Sequence, residues 1–166
     1  PTIPPEAYGI ETLTLINKAV ALRWTGFDTK DRSIESFIAA MKAENIQVAK
    51  AAFKHLVVPS YNVLLAEPGN VMIVSAGKIP NRIERAGEDF GVIPSLGWEN
   101  PMDWSGYLGF NENPYIIDPP EHILFNTNNK LLNNGYPKHF SYDWGDNQRQ
   151  LRMKDLFQTR KVHSLN

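Results

Sequence analysis

The sequence predicts an α+β fold, and three observations carry that expectation. Two short amphipathic helical patterns fall together in residues 31–56. Two apolar runs joined by Glu67-Pro68-Gly69-Asn70 follow them as a hairpin over 57–76. The chain has 166 residues, 42% of them hydrophobic, enough for one core in a single domain.

Taken in order, residues 1–8 read as extended, because Pro4 and Pro5 disfavour helix. Residues 11–16 alternate apolar and polar as a strand does. A second strand over 19–24 follows a polar break at Asn17-Lys18, which suggests a hairpin. Asp31 or Ser33 can cap a helix over 34–44, with Ile34, Phe37, Ile38 and Met41 on one face and expected to point inward. Asn45 can cap a second helix over 46–56, with Val48, Ala52, Phe53 and Leu56 inward.

The runs 62–66 and 71–75 are almost continuously apolar, the pattern of a sheet covered on both faces. Residues 77–121 form an excursion rich in Pro, Gly and aromatics, with Phe90, Trp98, Trp104, Tyr107, Phe110 and Tyr115 expected to pack around short strands. A short strand over 123–125 precedes an Asn-rich turn, and 153–160 reads as helix.

Charge and composition exclude several classes. Seventeen basic residues against eighteen acidic ones, without long runs, leave a net charge of -1 and no footprint for nucleic acid. No apolar stretch approaches the roughly 18 residues of a membrane span, so no membrane partner is expected either. With no cysteine, disulfides, thiolate zinc sites and a cysteine nucleophile are excluded within this chain. The ends are unusual. Pro1-Thr2-Ile3-Pro4-Pro5 has neither an initiator Met nor a signal-peptide pattern, and Ser164 places a candidate helix N-cap two residues before the last.

Ser75-Ala76-Gly77-Lys78 matches S-x-x-K, but it ends a strand, contains Gly77 and lacks companion elements, which favours chance. His55, His122, His139 and His163 are isolated, so surface or capping roles outweigh metal binding. His139, Ser141 and Asp143 fall close enough to draw as a triad, a coincidence expected of so short a stretch. Phe125-Asn126-Thr127-Asn128-Asn129 is the most unusual segment. It reads either as turn chemistry or as an amide donor aimed at developing negative charge.

In order and spacing, a series of short strings resembles the penicillin acylases and their relatives that cleave acyl-homoserine lactones and cephalosporin side chains, which are N-terminal nucleophile hydrolases. The strings are Ala21-Leu22-Arg23-Trp24, Pro59-Ser60-Tyr61-Asn62, Gly77-Lys78-Ile79-Pro80-Asn81-Arg82 and Gly97-Trp98 with Trp104-Ser105-Gly106. Asn113-Pro114, Asp118-Pro119-Pro120, Thr127-Asn128-Asn129, Tyr136-Pro137 and Trp144 with Arg149 complete the series.

The resemblance implies part of a four-layer αββα sandwich and an internal piece of a β subunit. It implies a precursor that processes itself to expose an N-terminal serine, whose α-amine serves as base; the reference pKa of about 7.7–8.0 suits that task. The whole enzyme would cleave the acyl amide of a penicillin, cephalosporin or acyl-homoserine lactone through an acyl-serine intermediate. Asn128 inherits the side-chain oxyanion donor and Arg149 a supporting role.

The nucleophile and the second oxyanion donor have no counterpart in this chain, so it is expected to be inactive alone. Its expected partners are the rest of the β subunit, the α subunit and a small amide substrate, and the piece by itself is expected to self-associate. Some members bind calcium, but no matching ligand set is legible and no cofactor is expected here. The family implies a periplasmic or secreted protein. The alternative is a family-like domain that has lost its nucleophile and serves as a binding or structural module.

Overall fold

A computed structural model describes residues 2–3, 20–82, 98, 104–131, 136, 138, 140–141, 144 and 146–159. The described residues form three helices and three small antiparallel sheets. The elements are β1 (Thr2–Ile3), β2 (Val20–Ala21), α1 (Ser33–Met41), α2 (Ile46–Ala52), β3 (Tyr61–Glu67) and β4 (Asn70–Ala76). They continue with β5 (Pro80–Arg82), β6 (Trp104–Tyr107), β7 (Tyr115–Ile117) and α3 (Gln148–Gln158).

The central sheet runs β3-β4-β7, with β4 in the middle. Its hairpin has the expected register, Glu67 opposite Asn70 through Asn62 opposite Ser75. Pro68-Gly69 makes the two-residue turn, with Gly69 at φ 91, where a side chain would strain the backbone. β4 is buried on both faces from Met72 to Ala76, whereas β3 is half exposed, so the two-sided cover holds for the middle strand. Leu56, Met72, Ile73 and Val74 are fully buried, and each contributes about 1.5–3 kcal/mol.

Asn45 caps α2 as expected, its Oδ1 accepting the Val48 N–H at 2.9 Å. Glu67, at the far end of β3, accepts the Ile46 N–H at 3.0 Å and so ties the helix start to the sheet. Ile46, Ala49, Phe53 and Leu56 face the core, while Val48 is exposed; the inward face is turned by about half a step from the expected one.

In α1 the expected face is overturned. Ile34 is 78% and Met41 86% exposed, and Phe37 and Ile38 also reach solvent. The buried side is Ser33 and Ser36, with Ala40 packed against Phe53 and Leu56. Hydrogen bonding explains this choice. Ser33 Oγ accepts the amides of Val57 (2.9 Å) and Val58 (3.2 Å), which leave α2 with no ladder partner. The N-cap position falls on Arg32, whose side chain makes no cap bond, so neither expected cap occupies it; Asp31, one residue earlier, accepts the Ser33 N–H at 2.9 Å.

Three further expectations change. The strand β2 pairs with Thr2–Ile3, and residues 11–16 lie outside the described residues. Residues 123–125 form no strand: Asp118 and His122 turn the chain at φ 42 and 52, and Phe125 instead stacks on Phe157 of α3 at 5.4 Å. The helix α3 starts at Gln148, five residues before its expected start, which brings Arg149 into its first turn. In the excursion β5 pairs with β6, Trp98 is exposed, and Phe90 lies outside the described residues.

Three substitutions test this packing by urea unfolding of the protein. Gly77 stands at φ 136, and a Cβ there would lie 2.9 Å from the Ser60 backbone. Gly77→Ala is expected to cost at least about 3 kcal/mol, against about 1–2 for Gly69→Ala, where the space is open. Ser36 is 1% exposed and its Oγ has no hydrogen-bond partner among the described residues. Ser36→Ala is expected to stabilise by about 1 kcal/mol, since it removes the orphan hydroxyl and improves helix propensity.

Candidate active site

The Asn-rich segment follows β7 through a tightly held corner. Asp118 bonds Val71 twice: its N–H donates to the Val71 carbonyl at 2.9 Å, and its carboxylate accepts the Val71 N–H at 2.7 Å. His122 N–H then closes a turn onto the Pro119 carbonyl at 2.8 Å. Beyond Phe125, the chain is organised by its own amide side chains rather than by a ladder.

Asn126 Oδ1 accepts the N–H of Asn128, two residues on, at 3.1 Å, and its Nδ2 donates to the Asn129 carbonyl at 3.2 Å. Asn129 Oδ1 accepts the N–H (3.0 Å) and the hydroxyl (3.1 Å) of Thr127. These bonds hold Asn128 at φ 67, a left-handed conformation that asparagine tolerates better than other side chains.

The segment is also tied to the central sheet. Asn62 of β3 donates Nδ2 to Asn126 Oδ1 at 3.1 Å. Its own Oδ1 accepts the Ser75 hydroxyl of β4 at 2.7 Å. Asn113, buried beside this end of β4, donates to the carbonyls of Ser75 and Gly77 at 3.0 Å each. Ser75 donates its N–H to the Pro114 carbonyl at 2.9 Å.

The two carried-over site residues meet. Arg149 Nη2 donates to Asn128 Oδ1 at 3.1 Å across 21 positions of sequence. That bond fixes which way the amide points: the oxygen faces the guanidinium and Nδ2 is presented on the other side. Asn128 Nδ2 makes no hydrogen bond among the described residues, and Asn128 itself is exposed. A donor amide backed by a cation suits a developing oxyanion, because the cation polarises the amide and strengthens its N–H as a donor.

The other candidates are not assembled. Ser75 is 2% exposed and its hydroxyl is engaged by Asn62. Lys78 Nζ instead pairs with Asp28 and sits 4.2 Å over the Tyr107 ring. That lysine holds the Asp28 carboxyl below the usual carboxylate range. His139 and Asp143 lie outside the described residues, and the Ser141 carbonyl accepts the Trp144 indole N–H at 2.7 Å. His55 and His122 are exposed, and His163 lies outside the described residues. Among the described residues no three His, Asp or Glu side chains converge on a metal position.

Sequence reasoning missed Asn126, Asn62 and Ser75 as parts of one network. The available signal was a polar residue at the end of each apolar run, Asn62 opening one and Ser75 closing the other.

A model of the family described as penicillin amidase matches residues 7–166. The acyl-homoserine lactone acylase QuiP of Pseudomonas fluorescens (strain Pf0-1) is 32% identical over 82% of this chain and 16% of that protein. Penicillin acylase 2 proenzyme of Pseudomonas sp. (strain SE83) is 21% identical over 75% of this chain and 16% of its own length. Among solved structures, thermostable penicillin G acylase from Alcaligenes faecalis superposes with a TM-score of 0.68 at 25% identity. That match covers 84% of this chain and 24% of the acylase chain. The chain thus spans about a sixth of the length of the curated relatives it matches.

Proposed function

Because the chain belongs to the penicillin amidase family, we propose that it works as part of an acylase that hydrolyses a linear N-acyl amide, with Asn128 as a side-chain donor of the oxyanion hole. In this reading a serine elsewhere in the intact protein attacks the amide carbonyl, and the carbonyl oxygen takes on negative charge as the C–O bond forms. Asn128 Nδ2–H stabilises that oxygen. A base takes the serine hydroxyl proton and passes it to the amine that collapse expels, and water then cleaves the acyl-serine ester to the carboxylic acid and the free serine hydroxyl.

The observation that carries the proposal is the bond from Arg149 to Asn128 Oδ1. It leaves the amide N–H₂ facing outward with its orientation fixed before substrate arrives. Arg149 acts through Asn128 and is a positioning residue. Relatives named for acyl-homoserine lactones are 27–32% identical to the chain, above the 21% of the penicillin acylase 2 proenzyme. N-acyl-homoserine lactones are therefore the first substrates to test, with penicillins second. A periplasmic or secreted location belongs to the same proposal.

In the intact acylase, Asn128→Ala is expected to lower kcat by about 10²–10³-fold, about 2.7–4 kcal/mol of barrier, with KM little changed. Release of the free amine under saturating substrate measures it, and an unchanged kcat would refute the oxyanion role. The 166-residue chain by itself is expected to release no amine from the same substrates.

A further inference from the structure

We propose that Asn126 and Asn62 are positioning residues that aim Asn128 at the oxyanion, acting as a hydrogen-bonded link between the Asn128 backbone and the central strand β4. The inference rests on the oxyanion reading of Asn128 and extends it to residues that touch neither substrate nor nucleophile.

An oxyanion donor is effective only if its direction is set before the charge develops; a donor that must first be reoriented loses much of its advantage. Asn128 is exposed and sits in a loop without ladder hydrogen bonds, so its own surroundings supply little restraint. Two bonds supply it. Arg149 holds the amide oxygen, and Asn126 Oδ1 holds the backbone N–H at 3.1 Å, which maintains φ 67. Without the second bond, Asn128 could relax toward negative φ, the more populated region for an L-residue, and carry its side chain away from Arg149.

Asn126 is itself oriented. Its Oδ1 also accepts Asn62 Nδ2, and its Nδ2 is taken by the Asn129 carbonyl, so a flipped amide would set donor against donor and acceptor against acceptor. Asn62 is oriented by the same bond: Asn126 Oδ1 can only accept, so Asn62 must turn Nδ2 toward it, which leaves its Oδ1 to accept the Ser75 hydroxyl. Ser75 is locked in a strand whose neighbours Val74 and Ala76 are fully buried. Each link therefore has one satisfied direction, and the series runs from the most rigid part of the fold to the exposed donor. A purely local turn would need only the bond from Asn128 N–H to Asn126; the connection to Asn62 and Ser75 adds a fixed reference frame.

The test is a double-mutant cycle in the intact acylase, with kcat and KM measured on an N-acyl-homoserine lactone or penicillin that it hydrolyses. Asn126→Ala is expected to lower kcat by about 10–100-fold with KM within about threefold of wild type. In an Asn128→Ala background the same substitution should cost nothing further, because there is no donor left to aim. Asn126→Ser keeps a short acceptor for the Asn128 N–H and should recover most of the loss.

An Asn126→Ala rate equal to wild type overturns the positioning role while an impaired Asn128→Ala leaves the oxyanion reading standing. A loss that persists undiminished in the Asn128→Ala background also overturns it, since that is the mark of general structural damage. An Asn128→Ala enzyme with full activity removes the oxyanion reading and this inference together. If Asn126→Ala does not fold, Asn126→Ser carries the same cycle with an expected loss of about threefold, and persistence of that loss beside Asn128→Ala is again the overturning result.

Discussion

The need to satisfy every polar group of a serine sealed inside the central sheet governs the arrangement around it. Ser75 lies in β4 between residues that see no water, so each of its donors and acceptors must find protein. Its N–H goes to Pro114, its carbonyl to Asn113 and its hydroxyl to Asn62. Those partners fix two separate stretches of chain: Asn113-Pro114, on the approach to β7, and the start of β3. The Asn-rich segment joins this scaffold through Asn62, and Arg149 joins it through Asn128. The core supplies the stiffness, and the amide series carries it outward to the loop.

The same rule decides the packing of α1. Its largest apolar side chains suggest an inward stripe, and simple burial of area would favour it. Two backbone amides stranded after α2 need an acceptor, however, and Ser33 provides one for both. Small side chains on that face also allow Ala40 to approach Phe53 and Leu56 closely. The helix thus presents Ile34, Ile38 and Met41 outward.

Legibility in the sequence followed the range of the interaction. The β3–β4 hairpin was readable because Pro68-Gly69 dictates its own turn between two apolar runs, and the cap of α2 because Asn45 acts three residues away. The orientation of α1 was not, because a 3.6-residue period identifies a face but not the neighbour that will claim it. Residues 123–125 have strand composition, yet no strand lies alongside among the described residues and Phe157 claims Phe125 instead. Asn128 and Arg149 were recognisable through the family resemblance, as separate residues 21 positions apart. Asn62, Ser75 and Asn126 were invisible as a unit because side-chain hydrogen bonds across 13 and 64 positions leave no periodic trace.

The amide series that supports Asn128 has one more property. Its links are two carboxamides, Asn126 and Asn62, and one aliphatic hydroxyl, Ser75, none of which gains or loses a proton in the range where proteins stay folded, and the charged group bonded to Asn128 is a guanidinium. A histidine or carboxylate in any of those places would make the donor's aim a function of acidity. Here the aim is indifferent to it. Under the proposed oxyanion role, these residues add no titration of their own to the pH–rate profile of the intact acylase.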